Sequence, residues 1–185
     1  MTKIAVILGS TRPGRNGEAV AKWVYNLAKK RSDTEFELVD VADYNLPLYD
    51  EPNPAMMQQY TKEHTKKWSK KISEFDGYIF VTAEYNHSIP AALKNAIDYL
   101  NVEWKNKAAG FVSYGSAGGS RAVEHLRQIT GMLQMADVEA QVMLNLFTDF
   151  VNMNEFKPDN RHEGEIDKLL DEIISWSKAL KTIRQ

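Results

Sequence analysis

The segment GSTRPGRNGEAV, residues 9–20, combines phosphate-binding residue types with a position between an apolar run and a helical pattern. Ser10 and Thr11 can donate hydroxyl hydrogen bonds, and Arg12 or Arg15 can add a bidentate contact to phosphate oxygens. The N-terminus of the following helix also favours an anion. The spacing matches neither G-x-G-x-x-G nor G-x-x-x-x-G-K-[ST]. Such a compact turn suits a terminal monophosphate, and the alternative is a helix-capping turn with surface arginines.

A second unusual loop, TAEYNHSIP at residues 82–90, follows another apolar run and leads into a helix. It can present backbone N–H and C=O groups to the polar edge of a flat heterocycle. The alternative is an ordinary turn in which Ser88 is the N-cap of a helix that Pro90 begins. His87 is either an exposed histidine or a group that transfers protons.

The third loop, SYGSAGGS at residues 113–120, holds three glycines within five residues. Such a backbone can lie flat against a ring, and the alternative is plain flexibility before a helix. The chain has no cysteine, which excludes disulfides, thiolate catalysis and zinc–thiolate sites. It also has no H-E-x-x-H motif, no metal-ligand spacing of His, Asp and Glu, and no Ser-His-Asp arrangement.

Five apolar runs alternate with amphipathic helical patterns along the chain. The predicted strands are 3–8, 35–41, 77–82, 108–114 and 138–144, and the predicted helices are 17–30, 55–75, 90–101, 119–135 and 163–183. Residues 44–54 and 154–165 are predicted to be exposed loops. Strict alternation predicts an α/β fold with a doubly wound sheet of five parallel strands in the order 2-1-3-4-5. The three unusual loops then follow strands 1, 3 and 4 and meet at the crevice where ligands bind.

The bulk composition limits the classes of partner. The chain has 185 residues, which predicts one domain over 1–185, and 43% of them are hydrophobic and 26% charged. A formal net charge of -2 favours neither nucleic acid nor an anionic membrane surface as a partner. No stretch approaches the roughly 20 apolar residues of a membrane-spanning helix. We therefore expect a soluble cytoplasmic protein.

With these residues in view, the chain resembles the NADPH-dependent FMN reductase family, flavodoxin-like flavoenzymes that include quinone and azo-dye reductases. The resemblance rests on GSTRPGR (9–15), EYNHSIPAALKNAIDYL (84–100) and EWKNKAAGFVSYGSAGGSRAVEHLR (103–127), and the middle motif is the most specific. It implies a three-layer flavodoxin-like sheet that binds FMN. The implied contacts to the phosphate are Ser10, Arg12 and the amides near Asn16, Gly17 and Glu18. Those to the isoalloxazine are Glu84, Tyr85, Asn86 and His87. Those to the pyrimidine side and the ribityl chain are Ser113, Gly115, Gly118 and Gly119.

The resemblance further implies that hydride passes from NAD(P)H through FMN N5 to a small-molecule acceptor such as a quinone or an azo compound. No protein side chain has to be catalytic, because the cofactor carries the chemistry. A homodimer or homotetramer is implied, with the helix at 90–101 at the subunit contact. Many relatives have Ser or Thr near the position of Arg15 and Gly at that of His87.

Three alternatives remain open at this point. One is an NAD(P)H:FMN reductase that releases free reduced flavin. Another is a flavodoxin-type electron carrier, although such carriers are typically strongly acidic and this chain has a net charge of only -2. The last is a phosphate- or nucleotide-binding protein without redox function.

Overall fold

The computed structural model describes residues 1–184. Strands and helices alternate as far as the fifth strand, after which a short hairpin precedes the last helix. In chain order they are β1 (Thr2–Leu8), α1 (Gly17–Ala28), β2 (Thr34–Asp40), α2 (Glu63–Ser73), β3 (Gly77–Ala83), α3 (Ala91–Asp98), β4 (Ala108–Gly115), α4 (Ser120–Met132), β5 (Ala136–Asn145), β6 (Phe150–Val151), β7 (Glu155–Phe156) and α5 (Arg161–Lys181).

The five long strands form one parallel sheet in the order β2-β1-β3-β4-β5, so the predicted flavodoxin-like fold is confirmed. The register aligns the carboxyl ends of the strands, because Leu8 pairs with both Asp40 and Val81, and Thr82 pairs with Ser113. The loops that follow β1, β3 and β4 therefore leave the sheet at the same edge.

Helices cover both faces of the sheet and form two apolar layers. On one face, Val20 and Val24 of α1 and Leu169 and Ile173 of α5 pack against the strands. On the other face, residues of α2, α3 and α4 do so, and the fully buried Trp68 belongs to this layer. Every residue of β3 and β4 is buried, as expected for central parallel strands covered on both sides. No helix among residues 1–184 has both the length and the apolar character that a membrane crossing needs.

The helix predicted over 55–75 is shorter in the structure. Only Ala55–Met57 form a single 3₁₀ turn, and α2 begins at Glu63. The buried Glu51 carboxylate fixes this start, because it accepts the N–H groups of Thr61 and Lys62 at 2.8 and 2.9 Å. These bonds outweigh the desolvation of the carboxyl group and lower the pKa of Glu51 to about 2.

The loop predicted over 154–165 was also wrong in part. Glu155–Phe156 pairs antiparallel with Phe150–Val151, and α5 already begins at Arg161. His162 in its first turn is buried between two carboxylates, with Nε2 2.9 Å from Asp149 Oδ1 and Nδ1 2.7 Å from Glu165 Oε2. The prediction of an exposed loop failed here because a polar residue can be buried when its hydrogen bonds are satisfied, and such burial leaves no apolar pattern in the sequence.

Candidate functional site

The loop between β1 and α1 is closed around Ser10. This residue is fully buried, and its Oγ lies 3.0 Å from the Tyr85 hydroxyl oxygen in the loop after β3. The Arg12 N–H approaches the same Oγ at 3.5 Å, and the Arg12 residue is exposed. The loop thus combines a hydroxyl held in place with a free guanidinium beside it.

The N-terminus of α1 leaves backbone donors without partners. Among residues 1–184, the N–H groups of Asn16, Gly17, Glu18 and Ala19 have no hydrogen-bond acceptor. Glycine is required at 17, because a Cβ there would lie 2.5 Å from the Tyr114 hydroxyl oxygen. Free N–H groups at a helix N-terminus provide a binding site for an anion.

Arg15 has a different role from Arg12. Its guanidinium donates to the Ser10 carbonyl oxygen and pairs with the carboxylate of Asp40, the last residue of β2. Its side chain is only 12% exposed. Arg15 therefore holds the loop in place by linking it to the end of β2.

The loop after β3 is a tight two-residue turn. Tyr85 and Ser88 exchange both backbone hydrogen bonds, at 2.9 and 3.1 Å. Between them Asn86 and His87 have positive φ values of 47° and 73°, as the central residues of a type I′ turn do. The left-handed conformation at His87 is one that glycine adopts without steric cost. In the part of the chain that the structure describes, the N–H groups of Asn86 and His87 have no acceptor.

The predicted N-cap role of Ser88 is wrong. Helix α3 begins at Ala91, directly after Pro90, and no side chain caps it among the described residues. The Ser88 Oγ instead lies 2.8 Å from Nδ1 of His125 on α4. The ring of His87 is close to the same histidine, with 5.9 Å between ring centroids. This contact between the turn after β3 and α4 replaces the capping bond that serine would otherwise make.

The Glu84 side chain, predicted to line a ring, lies against the start of α4. Its carboxylate accepts the Arg121 N–H at 3.2 Å and pairs with the Arg121 guanidinium, and its side chain is only 6% exposed. Its own N–H donates to the Tyr114 carbonyl oxygen at 3.1 Å. The group that Glu84 can still offer to a ligand is its carbonyl oxygen.

The glycine loop after β4 is held in a shape that side chains would prevent. Gly118 and Gly119 have φ values of 66° and 74°. A Cβ on Gly119 would lie 2.7 Å from the Ser113 Cβ and 2.9 Å from the Tyr114 nitrogen. Ser113 is buried, and its Oγ donates to the Gly118 carbonyl oxygen at 2.7 Å, so this hydroxyl fixes the loop from inside. Burial also raises the pKa of Tyr114, which keeps its phenol protonated.

The structure thus brings the three predicted loops together at one edge of the sheet. Ser10 contacts Tyr85, and a Cβ on Gly115 would lie 3.2 Å from the Glu84 Cβ. Sequence reasoning missed the supporting residues Asp40, Tyr114, Arg121 and Asn145; the last donates from Nδ2 to the Ser116 carbonyl oxygen at 3.1 Å. Tyr114 and Arg121 stood within the segment 103–127 on which the resemblance rests, whereas Asp40 and Asn145 stood in no motif.

Two cavities adjoin these loops. The larger, about 700 Å³, lies between α3 and α4 and includes Ser88, Lys94, His125 and Met132. The smaller cavity, about 280 Å³, lies beside the loop between β1 and α1 and includes Thr11, Asn45 and Asn95. The larger cavity shares Ser88 with the turn after β3, so it opens beside the loops rather than between them.

The fold is flavodoxin-like, and the three loops after β1, β3 and β4 meet at the carboxyl edge of its sheet. The chain belongs to the NADPH-dependent FMN reductase family, whose model matches residues 2–149. The predicted class is thereby confirmed: an oxidoreductase of the kind that uses FMN with NAD(P)H. The hairpin β6–β7 and α5 lie beyond the matched residues.

Curated relatives and a solved structure agree with this assignment. An NAD(P)H-dependent FMN reductase of Nectria sp is 49% identical over 134 residues, covering 69% of this chain and 67% of the relative. One from Schizosaccharomyces pombe is 38% identical and covers 92% and 88% of the two chains. A quinone reductase of Pseudomonas putida is 30% identical and covers 97% of each. A flavoenzyme NAD(P)H:(acceptor) oxidoreductase from Paracoccus denitrificans shares the fold, with a TM-score of 0.73, 22% identity and coverage of 95% and 98%.

Proposed function

We propose that this protein is an FMN-containing oxidoreductase that transfers hydride from NAD(P)H through FMN to quinones, azo compounds or similar two-electron acceptors. The observation that carries the proposal is the 3.0 Å contact between Ser10 Oγ and the Tyr85 hydroxyl oxygen. This contact brings the loop that we assign to the phosphate next to the turn that we assign to the ring. This arrangement suits a mononucleotide that carries one phosphate and one flat ring.

The residues present fit FMN. The free N–H groups of Asn16, Gly17 and Glu18 and the exposed Arg12 match a phosphate monoester in charge and in donors. The lone N–H groups of Asn86 and His87 match the carbonyl oxygens on the edge of a flavin. Gly115, Gly118 and Gly119 leave a surface without side chains against which a ring or a ribityl chain can lie.

When bound, FMN supplies a hydride acceptor at N5 and a two-electron donor for the second substrate. The protein's part is to bind and orient. Arg12 and the α1 N-terminus would hold the phosphate, and the turn at Tyr85–Ser88 would hold the ring through its backbone N–H groups. Backbone donors at the ring edge favour negative charge there, as an oxyanion hole favours an oxyanion. We assign no side chain to proton transfer, and acceptor protons come from water.

Two of the relatives are named NAD(P)H-dependent FMN reductases, and this activity points to one alternative function for the chain. In that alternative, the protein is an NAD(P)H:FMN reductase that releases free reduced flavin. The two readings differ in where the flavin is after turnover. In our proposal FMN remains with the protein, while in the alternative it leaves after reduction.

The test uses the purified protein under anaerobic conditions. We expect a yellow protein whose flavin absorbance near 450 nm bleaches with NADPH and returns when a quinone is added. Ultrafiltration after each step locates the flavin, and free FMN with NADPH but without protein is the control. Flavin in the filtrate after reduction would favour the releasing reductase, and a protein that neither binds nor reduces FMN would contradict both.

We also propose a homodimer whose subunits meet at the face formed by α3 and α4. Met132 on this face is 84% exposed and lines the larger cavity. Light scattering is expected to give twice the monomer mass for the wild type and a lower mass for Met132→Glu. Met57→Glu is the matched control, because Met57 is 56% exposed on a different segment. A monomeric wild type, or a dimer unaffected by Met132→Glu, would contradict this contact.

A further inference from the structure

The hairpin β6–β7 has a strained tip. Asn152 and Met153 both have positive φ values, 52° and 58°. The left-handed conformation is unfavourable for methionine, because its Cβ lies too close to the following carbonyl oxygen. Such a conformation persists where surrounding contacts enforce it.

One of those contacts reaches the phosphate loop. The Met153 carbonyl oxygen accepts a hydrogen bond from Asn16 Nδ2 at 2.8 Å. Asn16 stands at the N-cap position of α1, where an asparagine side chain usually bonds to the helix's own N–H groups. In the described residues it makes no such capping bond. Its side chain therefore joins the hairpin, and its neighbouring N–H groups stay free.

The hairpin is also tied to α1 and to the core by its aromatic residues. Phe156 packs edge-on against Trp23 of α1, with 5.6 Å between ring centroids. Phe150 contacts Phe156 at 5.1 Å and Tyr114 at 6.2 Å. Tyr114 in turn lies against Gly17, the first residue of α1.

The base of the hairpin is anchored by a buried contact between Asp149 and His162. Asp149 and His162 are both about 1% exposed in their side chains, and their atoms Oδ1 and Nε2 are 2.9 Å apart. The Asp149 carbonyl oxygen accepts the Lys157 N–H at 2.9 Å and so closes the hairpin. The tip at Met153 is thus held from a rigid base.

From this geometry we propose that the hairpin β6–β7 is a retention element for the phosphate end of FMN, and that Asn16 and Phe156 are positioning residues that act through it. The inference rests on the proposed function, in which the α1 N-terminus binds the phosphate. With the hairpin attached, the free N–H groups of Asn16, Gly17 and Glu18 keep one orientation. Without it, the first turn of α1 can fray, which weakens phosphate binding while leaving the ring site intact.

The test compares FMN with riboflavin, which has the same ring but no phosphate. Dissociation constants are measured by flavin fluorescence on the full chain after removal of bound flavin. Asn16→Ala is expected to raise the Kd of FMN about five-fold, the usual effect of one lost hydrogen bond. Phe156→Ala is expected to raise it to a similar extent, because it removes the ring contact with Trp23 that holds the hairpin on α1. The Kd of riboflavin is expected to stay within about two-fold of the wild-type value, since both changes act at the phosphate end of the site.

A double-mutant cycle tests whether both residues act through the hairpin. If they do, Asn16→Ala/Phe156→Ala raises the Kd of FMN no further than the larger single effect. Asn154→Ala is the matched control, because this hairpin asparagine makes no side-chain hydrogen bond within residues 1–184. Phe156→Leu removes the ring contact with Trp23 and keeps most of the apolar volume, so it replaces Phe156→Ala if that variant does not fold.

The outcomes separate the inference from the proposed function. If the two single increases in the Kd of FMN multiply in the double variant, the Asn16 side chain touches the phosphate directly. If the Kd values of FMN and riboflavin rise equally, the variants are destabilised in general. Either result, or an unchanged Kd of FMN, overturns the retention role while FMN binding by the wild type still stands. A wild type that binds no FMN would overturn the proposed function itself.

Discussion

The Tyr85 hydroxyl oxygen lies 3.0 Å from Oγ of Ser10, although the two residues are 75 positions apart. Ser10 opens the loop after β1 and Tyr85 begins the turn after β3. This hydrogen bond links the loop after β1, which we propose binds the phosphate, to the turn after β3, whose Asn86 and His87 N–H groups have no acceptor within residues 1–184. The spacing between the loop and the turn decides which ligand can engage both.

The first prediction concerns this contact. Tyr85→Phe removes the hydrogen bond and keeps the ring, so we expect the Kd of FMN to rise about 2- to 13-fold, corresponding to 0.5–1.5 kcal/mol. Fluorescence titration of the flavin-free protein measures it. Tyr25→Phe, a change on the outer part of α1, is the control. An unchanged Kd would show that the contact does not set the geometry of the site.

The second prediction separates Arg12 from Arg15. Arg12→Ala is expected to weaken FMN binding by about 1.5–3 kcal/mol, roughly a 10- to 150-fold rise in Kd, because it removes a charged donor to phosphate. The free energy of unfolding of the flavin-free protein should not change, since Arg12 is exposed. Titration and urea unfolding together test this, and an unchanged affinity would remove Arg12 from the site.

Arg15→Ala is expected to behave differently. It leaves the Asp40 carboxylate and the Ser10 carbonyl oxygen without their common partner. The free energy of unfolding of the flavin-free protein should therefore fall by about 1–3 kcal/mol. Urea unfolding checks this. A variant as stable as the wild type would show that Arg15 does not hold the loop in place.

The fourth prediction concerns His87, whose φ of 73° suits glycine. His87→Gly is expected to keep the turn and to raise kcat/KM for bulky quinones relative to small ones, because the imidazole beside the ring site is removed. Asn86→Gly is the matched control, since Asn86 shares the turn and has a φ of 47° but carries no imidazole. Equal gains for bulky and small quinones, or the same effect in the control, would exclude a role of His87 in acceptor size.

The fifth prediction follows from Lys107, which is buried far from the loops, with Nζ 2.9 Å from the Tyr78 hydroxyl oxygen. Burial lowers the pKa of Lys107 from 10.5 to about 8. Below pH 8 the lysine is protonated in both the folded and the unfolded states, and the fold carries the full cost of the buried charge. Between pH 8 and 10.5 only the unfolded state keeps the proton, so this group makes stability rise with pH.

Lys107→Met removes that dependence. We expect the variant to be more stable than wild type, with the largest difference in the free energy of unfolding at pH 7. The difference should shrink by up to about 3 kcal/mol as the pH approaches 10.5. Urea unfolding at one-unit pH steps measures it. A difference that is independent of pH would mean that Lys107 does not change its proton affinity on folding.

The sequence predicts the sheet order and the meeting of the three loops, because both follow from the alternation of strands and helices. Contacts between side chains that are distant in the sequence leave no such regular pattern. Nothing in the pattern of Glu84 indicates that its carboxylate lies at the start of α4 with Arg121, and nothing around Asp149 indicates the buried His162. The left-handed conformation of Asn152 and Met153 could not be predicted either, because neither residue is a glycine.

The central claim is that FMN stays bound while the protein cycles between NAD(P)H and an acceptor. Its most direct test is anaerobic titration of the purified yellow protein with NADPH, followed by one equivalent of quinone and ultrafiltration. We predict bleaching by one equivalent of NADPH, full return of the flavin spectrum with the quinone, and flavin retained with the protein throughout. A flavin that does not bleach, or that appears in the filtrate once reduced, would contradict the account.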